Sequence, residues 1–600
     1  MDEISQFCQS NRQEILVDES ALDIFCTDTK PISLWVPSIQ LKPYNQLRQI
    51  ILDIETTGLD SRSDRIIAIG CMRESGAVEI FMEVDEVSLL KSFLNYLSSG
   101  NPEVLLTYNG LNFDLPFIIA RLNSLGIKHP FKQSNQTRTI PSARVFGTPI
   151  KVQEVFYKNT NHVDIYICVL RWDFIAKSLS LSHTLKNVAL EMGLRSENRL
   201  TLSHQQIQNC WQQGEGSEGW QTIKQYLTFD LEDTKLIADK LVPQYWYEAL
   251  IVPGMNLQQL ALAGNATKWQ RVLEHQYPKC KPSADSKLKF AGGLCVSVPG
   301  LYRHVAKVDV SSLYPSIMLK YGICSRKDSK RIALSILKYL TEERLKLKAA
   351  ARLGDMTAKQ AESALKVLIN SLFGFYGTGG VGFNDMEAAA LVTAYGRRIL
   401  RHMISTIESV GGIQIESDTD GVFFSHQEPE AVFETVKQSM PEGINIELET
   451  HADAMFVPTK GMKNYILWHA DGSLTLKGSY RKRDRSLLEK QFPIEYLTRF
   501  LSSFQAAEEY YHQVKQLILS GELPLELIQI TRKIKANEKA LLSLGQSGEN
   551  VTFYQGINGA TITGDYSVGY YLNLIAKKRE EILEVVAPVE RRNYQQLSLF

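Results

Sequence analysis

The sequence predicts a multi-domain α/β protein. Its 600 residues are more than one hydrophobic core usually organises, so several domains are expected. Short apolar runs rich in β-branched residues, such as 49–54 and 305–310, are typical of strands. Longer segments, 335–351 and 356–373, have the composition of helices separated by a break at 352–355. Strands and helices of this kind in one chain indicate the α/β class.

The composition excludes several classes of protein. Hydrophobic residues make up 44% of the chain and charged residues 22%, and the formal net charge is zero, so any basic surface must be local. The eight cysteines include no CxxC pair, which favours a reducing compartment and argues against a zinc or iron–sulfur module. No apolar run has the length of a membrane span, and the acidic start does not resemble a signal peptide. A soluble, cytoplasmic protein is expected.

Three aspartates of the second half lie at predicted strand ends. Asp309 closes the strand 305–310, after which a helix is expected to begin at Ser316. Asp418 and Asp420 lie at the tip of a predicted hairpin, 413–424, and their i, i+2 spacing predicts that they project together. Beside Asp309 they would hold two metal ions about 3.5–4 Å apart, as phosphoryl transfer requires. Taken alone, the sequence DTDG is more often a solvated acidic turn.

A second set of acids lies in the first half. Asp53 and Glu55 share one face of a buried strand, where two acids are costly unless a cation neutralises them. Asp114 follows a short apolar run, and Tyr226 and Asp230 share a helix face at i, i+4. Each of these alone is equally typical of a turn, a helix cap or an amphipathic helix. Asp233 is expected at the surface.

The two predicted helices carry basic and amide side chains on common faces. Arg344 and Lys348 are spaced i, i+4 on the first, and Lys366 and Asn370 on the second. An antiparallel pair presenting these four residues could bind a triphosphate and neutralise a leaving pyrophosphate. The alternative, for either helix alone, is an ordinary solvated face.

These residues stand in segments that resemble family B DNA polymerases. DVSSLYPSI (309–317) resembles their first polymerase motif, DxxSLYPSI, and ESDTDG (416–421) resembles the third, YxDTDS. The resemblance implies Asp309 and Asp420 as the principal metal ligands with Asp418 in support, and Tyr314 as the ring that rejects a ribose 2′-OH. Glu416 and Gly421 depart from the pattern, where Tyr and Ser are usual. Neither position is a metal ligand, so altered rate or fidelity is expected rather than inactivity.

The remaining motifs extend this resemblance. KVLINSLFG (366–374) resembles the second polymerase motif, KxxxNSxYG, which implies triphosphate contacts and places Phe373 against the nascent base pair. The first-half acids resemble the three motifs of DEDD exonucleases, which implies two metals held by Asp53, Glu55, Asp114 and Asp230, with Tyr226 orienting the attacking water. Mg²⁺ is expected at both sites, two ions in each, with Mn²⁺ possible.

Three further segments resemble DNA-binding parts of this family. FAGG (290–293) resembles the YxGG segment, and its paired Gly292 and Gly293 would permit close approach to a template strand. Lys463 and Tyr465 resemble the KxY segment that holds a primer terminus. The basic run 477–485 would contact several phosphates through Lys477, Arg481, Lys482 and Arg483.

The C-terminal pentapeptide resembles the bacterial sliding-clamp-binding motif QL[SD]LF, with Gln596, Leu597, Leu599 and Phe600 as its anchors.

The resemblances divide the chain into a reduced N-terminal region (1–45), an RNase H-like 3′-5′ exonuclease domain (46–240), connector and first palm part (241–325), helical fingers (326–379), α+β palm (380–480), thumb (481–590) and clamp-binding tail (591–600).

The function implied is a DNA polymerase with a proofreading exonuclease, monomeric and nucleoid-associated, acting on primer–template DNA with dNTPs. Two alternatives stay open. One is an exonuclease whose polymerase half has degenerated, motivated by Glu416 and Gly421. The other is a non-catalytic DNA-binding scaffold tethered to a clamp, against which the cost of unused buried acids argues.

Overall fold

The computed structural model describes most of the chain. The described residues are 8–11, 14–27, 43–145, 148–176, 179, 182–196, 199–282, 288–481, 485–534, 538–546, 550–563 and 566–586. Within them the chain forms two compact units, each built from separated segments. The first unit comprises Met1–Ile15, Asp28–Phe290 and Tyr321–Ala390, and the second comprises Leu16–Thr27, Ala291–Lys320 and Leu391–Phe600.

Strands and helices alternate along the described residues, in agreement with the predicted α/β class. The strands, in chain order, are β1 (Cys8–Asn11), β2 (Glu14–Val17), β3 (Gln49–Thr56), β4 (Ile66–Arg73), β5 (Val78–Phe81), β6 (Val104–Thr107), β7 (Phe131–Val145), β8 (Thr148–Tyr157), β9 (Asn161–Asp164), β10 (Lys289–Phe290), β11 (Cys295–Ser297), β12 (Gly300–Val310), β13 (Ile413–Asp418), β14 (Gly421–Ser425), β15 (Ile446–Val457), β16 (Ile466–Trp468), β17 (Leu474–Leu476), β18 (Ile530–Lys533), β19 (Asn550–Gly556) and β20 (Gly559–Thr561). The helices are α1 (Glu86–Gly100), α2 (Asp114–Ser124), α3 (Ile165–Ala176), α4 (Leu185–Glu191), α5 (His204–Gln212), α6 (Glu218–Ile251), α7 (Leu257–Leu262), α8 (Asn265–Glu274), α9 (Leu313–Lys320), α10 (Ile332–Arg352), α11 (Met356–Tyr376), α12 (Met386–Ser409), α13 (Pro429–Ser439), α14 (Leu487–Ser502), α15 (Phe504–Ser520), α16 (Leu525–Ile528), α17 (Lys539–Leu542) and α18 (Val568–Val586).

A five-stranded mixed sheet forms the centre of the first unit, in the order β5-β4-β3-β6-β9. β3 pairs antiparallel with β4 and parallel with β6, and β6 pairs parallel with β9. Alternate residues of β3 enter different cores: Leu52 packs on one face, and Ile51 packs on the other together with Leu231 of α6. Asp53 and Glu55 follow Ile51 at the same period of two, so they lie on the face that α6 covers.

Two long helices of the first unit, α10 and α11, correspond to the predicted pair 335–351 and 356–373. Asp355 caps α11 by accepting a hydrogen bond from the Ala358 amide at 3.0 Å. The indole of Trp269 on α8 donates to the Leu368 carbonyl of α11 at 3.1 Å. The second of these helices is therefore anchored to the unit by its buried side.

A seven-stranded sheet forms the centre of the second unit, in the order β11-β13-β14-β12-β15-β16-β17. The hairpin β13–β14 forms as predicted, and β14 lies antiparallel to β12, so that Asp309 faces Gly421 across the pair. The helix after β12 begins at Leu313, earlier than the predicted Ser316, because proline is tolerated in the first turn of a helix. Within the described part of the chain, no helix is both long and apolar enough to cross a lipid bilayer.

Candidate active sites

The acids of the first unit converge on one point. One carboxylate oxygen from each of Asp53, Glu55 and Asp230 lies within 4.8 Å of the other two. β3 supplies the first two residues and α6 supplies the third, which the sequence places far away. Three carboxylates at this separation form a donor set suited to a hard divalent cation.

Asp114 joins this cluster from the start of α2. Its Oδ1 accepts a hydrogen bond from the amide of Ile54, which lies between Asp53 and Glu55, at 3.2 Å. The loop before α2 is held by the buried Asp164, which accepts from the amides of Asn109 (2.8 Å) and Leu111 (3.0 Å). All four predicted exonuclease acids therefore lie close together beside β3.

The electrostatics of the cluster also fit a cation. Burial and then the Asp230 and Asp114 carboxylates raise the pKa of Glu55 to about 8. Burial raises the pKa of Asp114 to about 7, and burial with the neighbouring Asp114 carboxylate raises the pKa of Asp53 well above its usual range. Carboxyls that repel each other in this way gain most from a shared positive ion.

Tyr226 lies on α6 one turn before Asp230, and its hydroxyl has a hydrogen-bond partner that the sequence did not indicate. The ammonium of Lys186 on α4 donates to the Tyr226 hydroxyl at 2.8 Å and lies 4.4 Å from the centre of its ring. Burial lowers the pKa of Lys186. Lys186 and Tyr226 lie 40 positions apart, so only the fold shows which side chain reaches the tyrosine.

The prediction that Asp233 lies at the surface is wrong. Its side chain is fully buried and accepts a hydrogen bond from Arg195 at 2.7 Å. Arg199 bridges Asp233 and the cluster residue Asp230. The acid is buried because two arginines from the segment after α4 neutralise it, and such long-range pairs leave no periodic signal in the sequence.

The carboxylates of the second unit meet around the β13–β14 turn. Asp309 lies near the end of β12, and the Val310 amide donates to the Asp420 carbonyl at 2.8 Å. Asp420 occupies the two-residue turn rather than a strand position, with Thr419 before it at φ 64°, so the predicted i, i+2 strand geometry with Asp418 is wrong. Burial and then the Asp309 carboxylate raise the pKa of Asp420 to about 6.

Two lysines pair with these acids. The Lys307 ammonium lies 2.9 Å from Asp309 and also pairs with Glu449. Lys463, predicted to bind DNA, lies 2.5 Å from the Asp418 carboxylate. Lys307 shares a strand face with Asp309 at i, i+2, a signal that sequence analysis could have used.

The two departures from the family pattern have different surroundings. Glu416 is buried and accepts a hydrogen bond from the Lys463 amide at 3.1 Å, and burial raises its pKa to about 7. A Cβ at Gly421 would lie 2.3 Å from Asp309 Oδ1 and 2.7 Å from Lys307 Cε, so a side chain there requires these two side chains to move. The absence of a side chain at Gly421 therefore leaves space for the Lys307 side chain on the neighbouring strand.

Tyr314 packs between two glycines. A Cβ on Gly293 would lie 3.0 Å from the Tyr314 hydroxyl, and a Cβ on Gly396 would lie 3.2 Å from its ring. Burial and then the Asp420 carboxylate raise the pKa of Tyr314 to about 12. Gly292, in contrast, is exposed and has open space around it.

The predicted triphosphate residues belong to the first unit. Lys366 and Asn370 are exposed on one face of α11, and Arg344 of α10 pairs with Glu362 on that face at 2.7 Å. Lys348 is half-buried, and the ring of Phe373 meets Phe290 edge-on at 6.4 Å. The contact between Arg344 and Glu362 places Arg344 beside the helix face of α11 that carries Lys366 and Asn370.

The remaining predicted DNA contacts are only partly described. Tyr465 is half-buried against Phe423 at 5.3 Å, and Lys477 is exposed with its amide bonded to the Tyr465 carbonyl at 3.0 Å. Arg481 ends a short 3₁₀ helix, Gly478–Arg481. Lys482, Arg483 and the tail residues Gln596, Leu597, Leu599 and Phe600 lie outside the described residues.

Comparison with known proteins identifies both halves. Residues 31–188 match the family model for the exonuclease domain of DNA polymerase family B, and residues 326–541 match the model for DNA polymerase family B. The DNA polymerase of Thermococcus gorgonarius is 26% identical over 83% of this chain and 70% of its own length, and DNA polymerase 2 of Aeropyrum pernix is 24% identical over 83% and 65%. The fold resembles that of the family B DNA polymerase from the hyperthermophilic archaeon Pyrobaculum calidifontis, with a TM-score of 0.59, 21% identity, and coverage of 91% of this chain and 79% of that one. The chain therefore belongs to the family B DNA polymerases and has both the exonuclease and the polymerase domain of that family.

Proposed function

We propose that this polymerase extends a primer 3′ end on a DNA template and shortens the same end, at two separate acidic sites. The observation that carries the proposal is the convergence of Asp53, Glu55 and Asp230 within 4.8 Å, together with a second group of acids around Asp309. The two groups of acids belong to different units of the fold.

At the exonuclease site, Asp53, Glu55, Asp114 and Asp230 would hold two Mg²⁺ ions. When bound, the ions supply an acidified water and neutralise charge on the phosphodiester. Tyr226 orients the attacking water through its hydroxyl, and Lys186 fixes that hydroxyl by its hydrogen bond at 2.8 Å. Arg199 pairs with both Asp230 and the buried Asp233, so it acts as a positioning residue for the Asp230 carboxylate.

At the polymerase site, Asp309 and Asp420 would hold two Mg²⁺ ions with support from Asp418. The ions supply activation of the primer 3′-OH and neutralisation of pyrophosphate. Tyr314, fixed between its two glycines, would exclude a ribose 2′-OH from the incoming sugar. Arg344, Lys348, Lys366 and Asn370 would bind the triphosphate, and Phe373 would lie against the new base pair.

Primer–template DNA would be held by Gly292 and Gly293, by Lys463 and Tyr465, and by the basic run with Lys477, Arg481, Lys482 and Arg483. Lys463 would leave Asp418 for the primer phosphate once a metal ion neutralises that acid. The exonuclease domain would span residues 46–240 and the fingers residues 326–379, as the sequence motifs indicate.

The decisive experiment uses a labelled primer annealed to a longer template. With Mg²⁺ and four dNTPs we expect extension, with Mg²⁺ alone we expect stepwise shortening, and EDTA should stop both. Mn²⁺ in place of Mg²⁺ measures the metal preference. If the protein shortens the primer but does not extend it, it is an exonuclease with a degenerate polymerase half. If it does neither, the remaining reading is a non-catalytic DNA-binding scaffold.

We also propose a monomer, associated with the nucleoid, that binds a bacterial sliding clamp through the C-terminal QLSLF. The support is the motif and its position after a polar segment. A chain ending at Gln595 should extend free primers at the normal rate and lose the stimulation that a loaded clamp gives on primed circular DNA. Equal stimulation of both chains would refute clamp binding through this tail.

A further inference from the structure

A short N-terminal segment of the second unit, Leu16–Thr27, packs on the polymerase half. Its Leu22 and Ile24 are buried, and the ring of Phe25 meets His402 of α12 edge-on at 5.7 Å. At its end, the Thr27 hydroxyl accepts a hydrogen bond from Lys320 at 3.1 Å. Lys320 ends α9, the helix that carries Tyr314, so the segment contacts both helices near the polymerase acids.

Glu19 is the charged anchor of this segment. It opens a single 3₁₀ turn, Glu19–Ala21, whose preceding residue Asp18 caps the turn by accepting from the Ser20 amide at 3.0 Å. The Glu19 carboxylate binds two arginines one turn apart on α12. Arg397 Nε donates to it at 2.7 Å, and Arg401 pairs with its other oxygen. Arg397 is buried, and its bond to Glu19 is charge-assisted.

Arg397 also holds the glycine segment. The same guanidinium donates through Nη1 to the carbonyls of Ala291 at 2.8 Å and Gly292 at 2.5 Å. Thr393, one turn earlier on α12, donates to the Ala291 carbonyl at 2.8 Å. A planar guanidinium with its Nε fixed by a carboxylate presents its remaining N–H groups in one orientation. Glu19 therefore sets the direction from which Arg397 meets these carbonyls.

The glycine segment in turn touches the polymerase centre. Gly293 lies against the Tyr314 hydroxyl and against Thr419, where a Cβ would come within 3.0 and 3.1 Å of them. The next carbonyl, of Leu294, accepts a hydrogen bond from the Thr419 amide at 3.0 Å. Thr419 separates Asp418 from Asp420. A shift of residues 291–294 must therefore move the tyrosine or the turn that carries the acids.

We propose that Glu19 is a positioning residue for nucleotide binding at the polymerase centre, acting through Arg397 and residues 291–294 on Tyr314 and Thr419. This inference rests on the proposed polymerase function and gives the N-terminal segment a role in it. Removing the charge of Glu19 leaves the buried Nε of Arg397 with a weaker acceptor and frees the guanidinium to turn. Tyr314 then loses the close packing of Gly293 beside its hydroxyl.

The test compares Glu19→Gln and Glu19→Ala with Glu434→Gln, which breaks an exposed ion pair with Lys437 on α13. In single-nucleotide extension, we expect both Glu19 variants to raise KM for dNTP by about tenfold with a smaller change in kcat, and to discriminate less against ribonucleotides. Shortening of the primer without dNTPs should keep its normal rate in the same preparations, which shows that the chain is folded. Glu434→Gln should match the unaltered protein in every measurement.

Hydrogen exchange supplies a readout that does not need catalysis. The amides of 291–296 and 419–422 should exchange faster in Glu19→Gln than in the unaltered protein or Glu434→Gln. Unchanged exchange and KM would overturn the inference, and so would equal losses of extension and shortening, which indicate general destabilisation. An unaltered protein that extends no primer would instead refute the proposed function, while the exchange result would still decide the coupling.

Discussion

Replacing Asp53 by asparagine is expected to slow primer shortening by about 10²- to 10³-fold and to leave extension at its normal rate. Asp53 supplies one of the three oxygens that meet within 4.8 Å, and an amide is a weaker ligand for a hard cation than a carboxylate. The measurement is the rate of loss of 3′ nucleotides from a labelled primer with Mg²⁺, beside the rate of extension with dNTPs.

The same substitution should stabilise the metal-free protein. Folding raises the pKa of Glu55 to about 8 and that of Asp114 to about 7, so the folded state binds more protons than the unfolded state between pH values of about 4 and 8. The contribution of these carboxyls to the stability of the metal-free protein therefore falls as pH rises through this window. Asp53→Asn removes one repelling charge, so its Tm in EDTA should exceed the normal value at pH 8 by more than at pH 5.

The matched control is Asp309→Asn in the second unit. It should abolish extension and spare shortening, the reverse of Asp53→Asn. Added Mg²⁺ should raise the Tm of the unaltered protein more than that of Asp53→Asn. Loss of both reactions in either variant would contradict two independent sites, and an unchanged rate of shortening in Asp53→Asn would remove this residue from the exonuclease site.

The sequence predicted the local parts of both sites because their spacing carries the information. Asp53 and Glu55 share a strand face, and Tyr226 and Asp230 share a helix face, at periods that any strand or helix must have. Family motifs then associated these pieces in the right order. The hairpin around Asp420 was also predicted from alternating apolar runs and a tight turn.

The supporting residues could not be predicted in the same way. Lys186, Arg199 and Glu19 reach their partners across 40, 31 and 378 positions, so no periodic pattern connects them. The helix pattern predicted Asp233 at the surface, because the two arginines that neutralise it lie in a separate segment of the chain. Such pairs depend on how elements pack, and only the tertiary fold brings them together.

Glu416 shows how a departure from a family pattern can be absorbed locally. Its side chain is buried in β13, and within the described residues one carboxylate oxygen has no hydrogen-bond partner. Burial raises its pKa to about 7, so a protonated form is accessible near neutral pH at little cost. The residue is thus compatible with the sheet, and its presence is not a sign that the polymerase half has decayed.

Restoring the usual family residue at the second departure, by Gly421→Ser, is expected to slow extension by about 10²-fold, because a 1 Å displacement of a reacting group costs about this much. The new Cβ would lie 2.3 Å from Asp309 Oδ1 and 2.7 Å from Lys307 Cε, so the Asp309 carboxylate must rotate away. Both atoms lie near the ends of side chains that can move, so the Tm should change little. Steady-state extension and thermal unfolding measure these two effects.

A second substitution, at Lys307, tests whether crowding beside Gly421 causes the expected loss of extension. Its stem fills the space beside Gly421, so the double variant Gly421→Ser, Lys307→Ala gives Asp309 room to return and should extend primers faster than Gly421→Ser alone. Gly264→Ser is the matched control, since a side chain there meets open space at the start of α8, where serine is a favoured cap. It should leave both reactions and the Tm unchanged. Extension by Gly421→Ser at the normal rate or faster would show that the pairing of Lys307 with Gly421 does not set the position of Asp309.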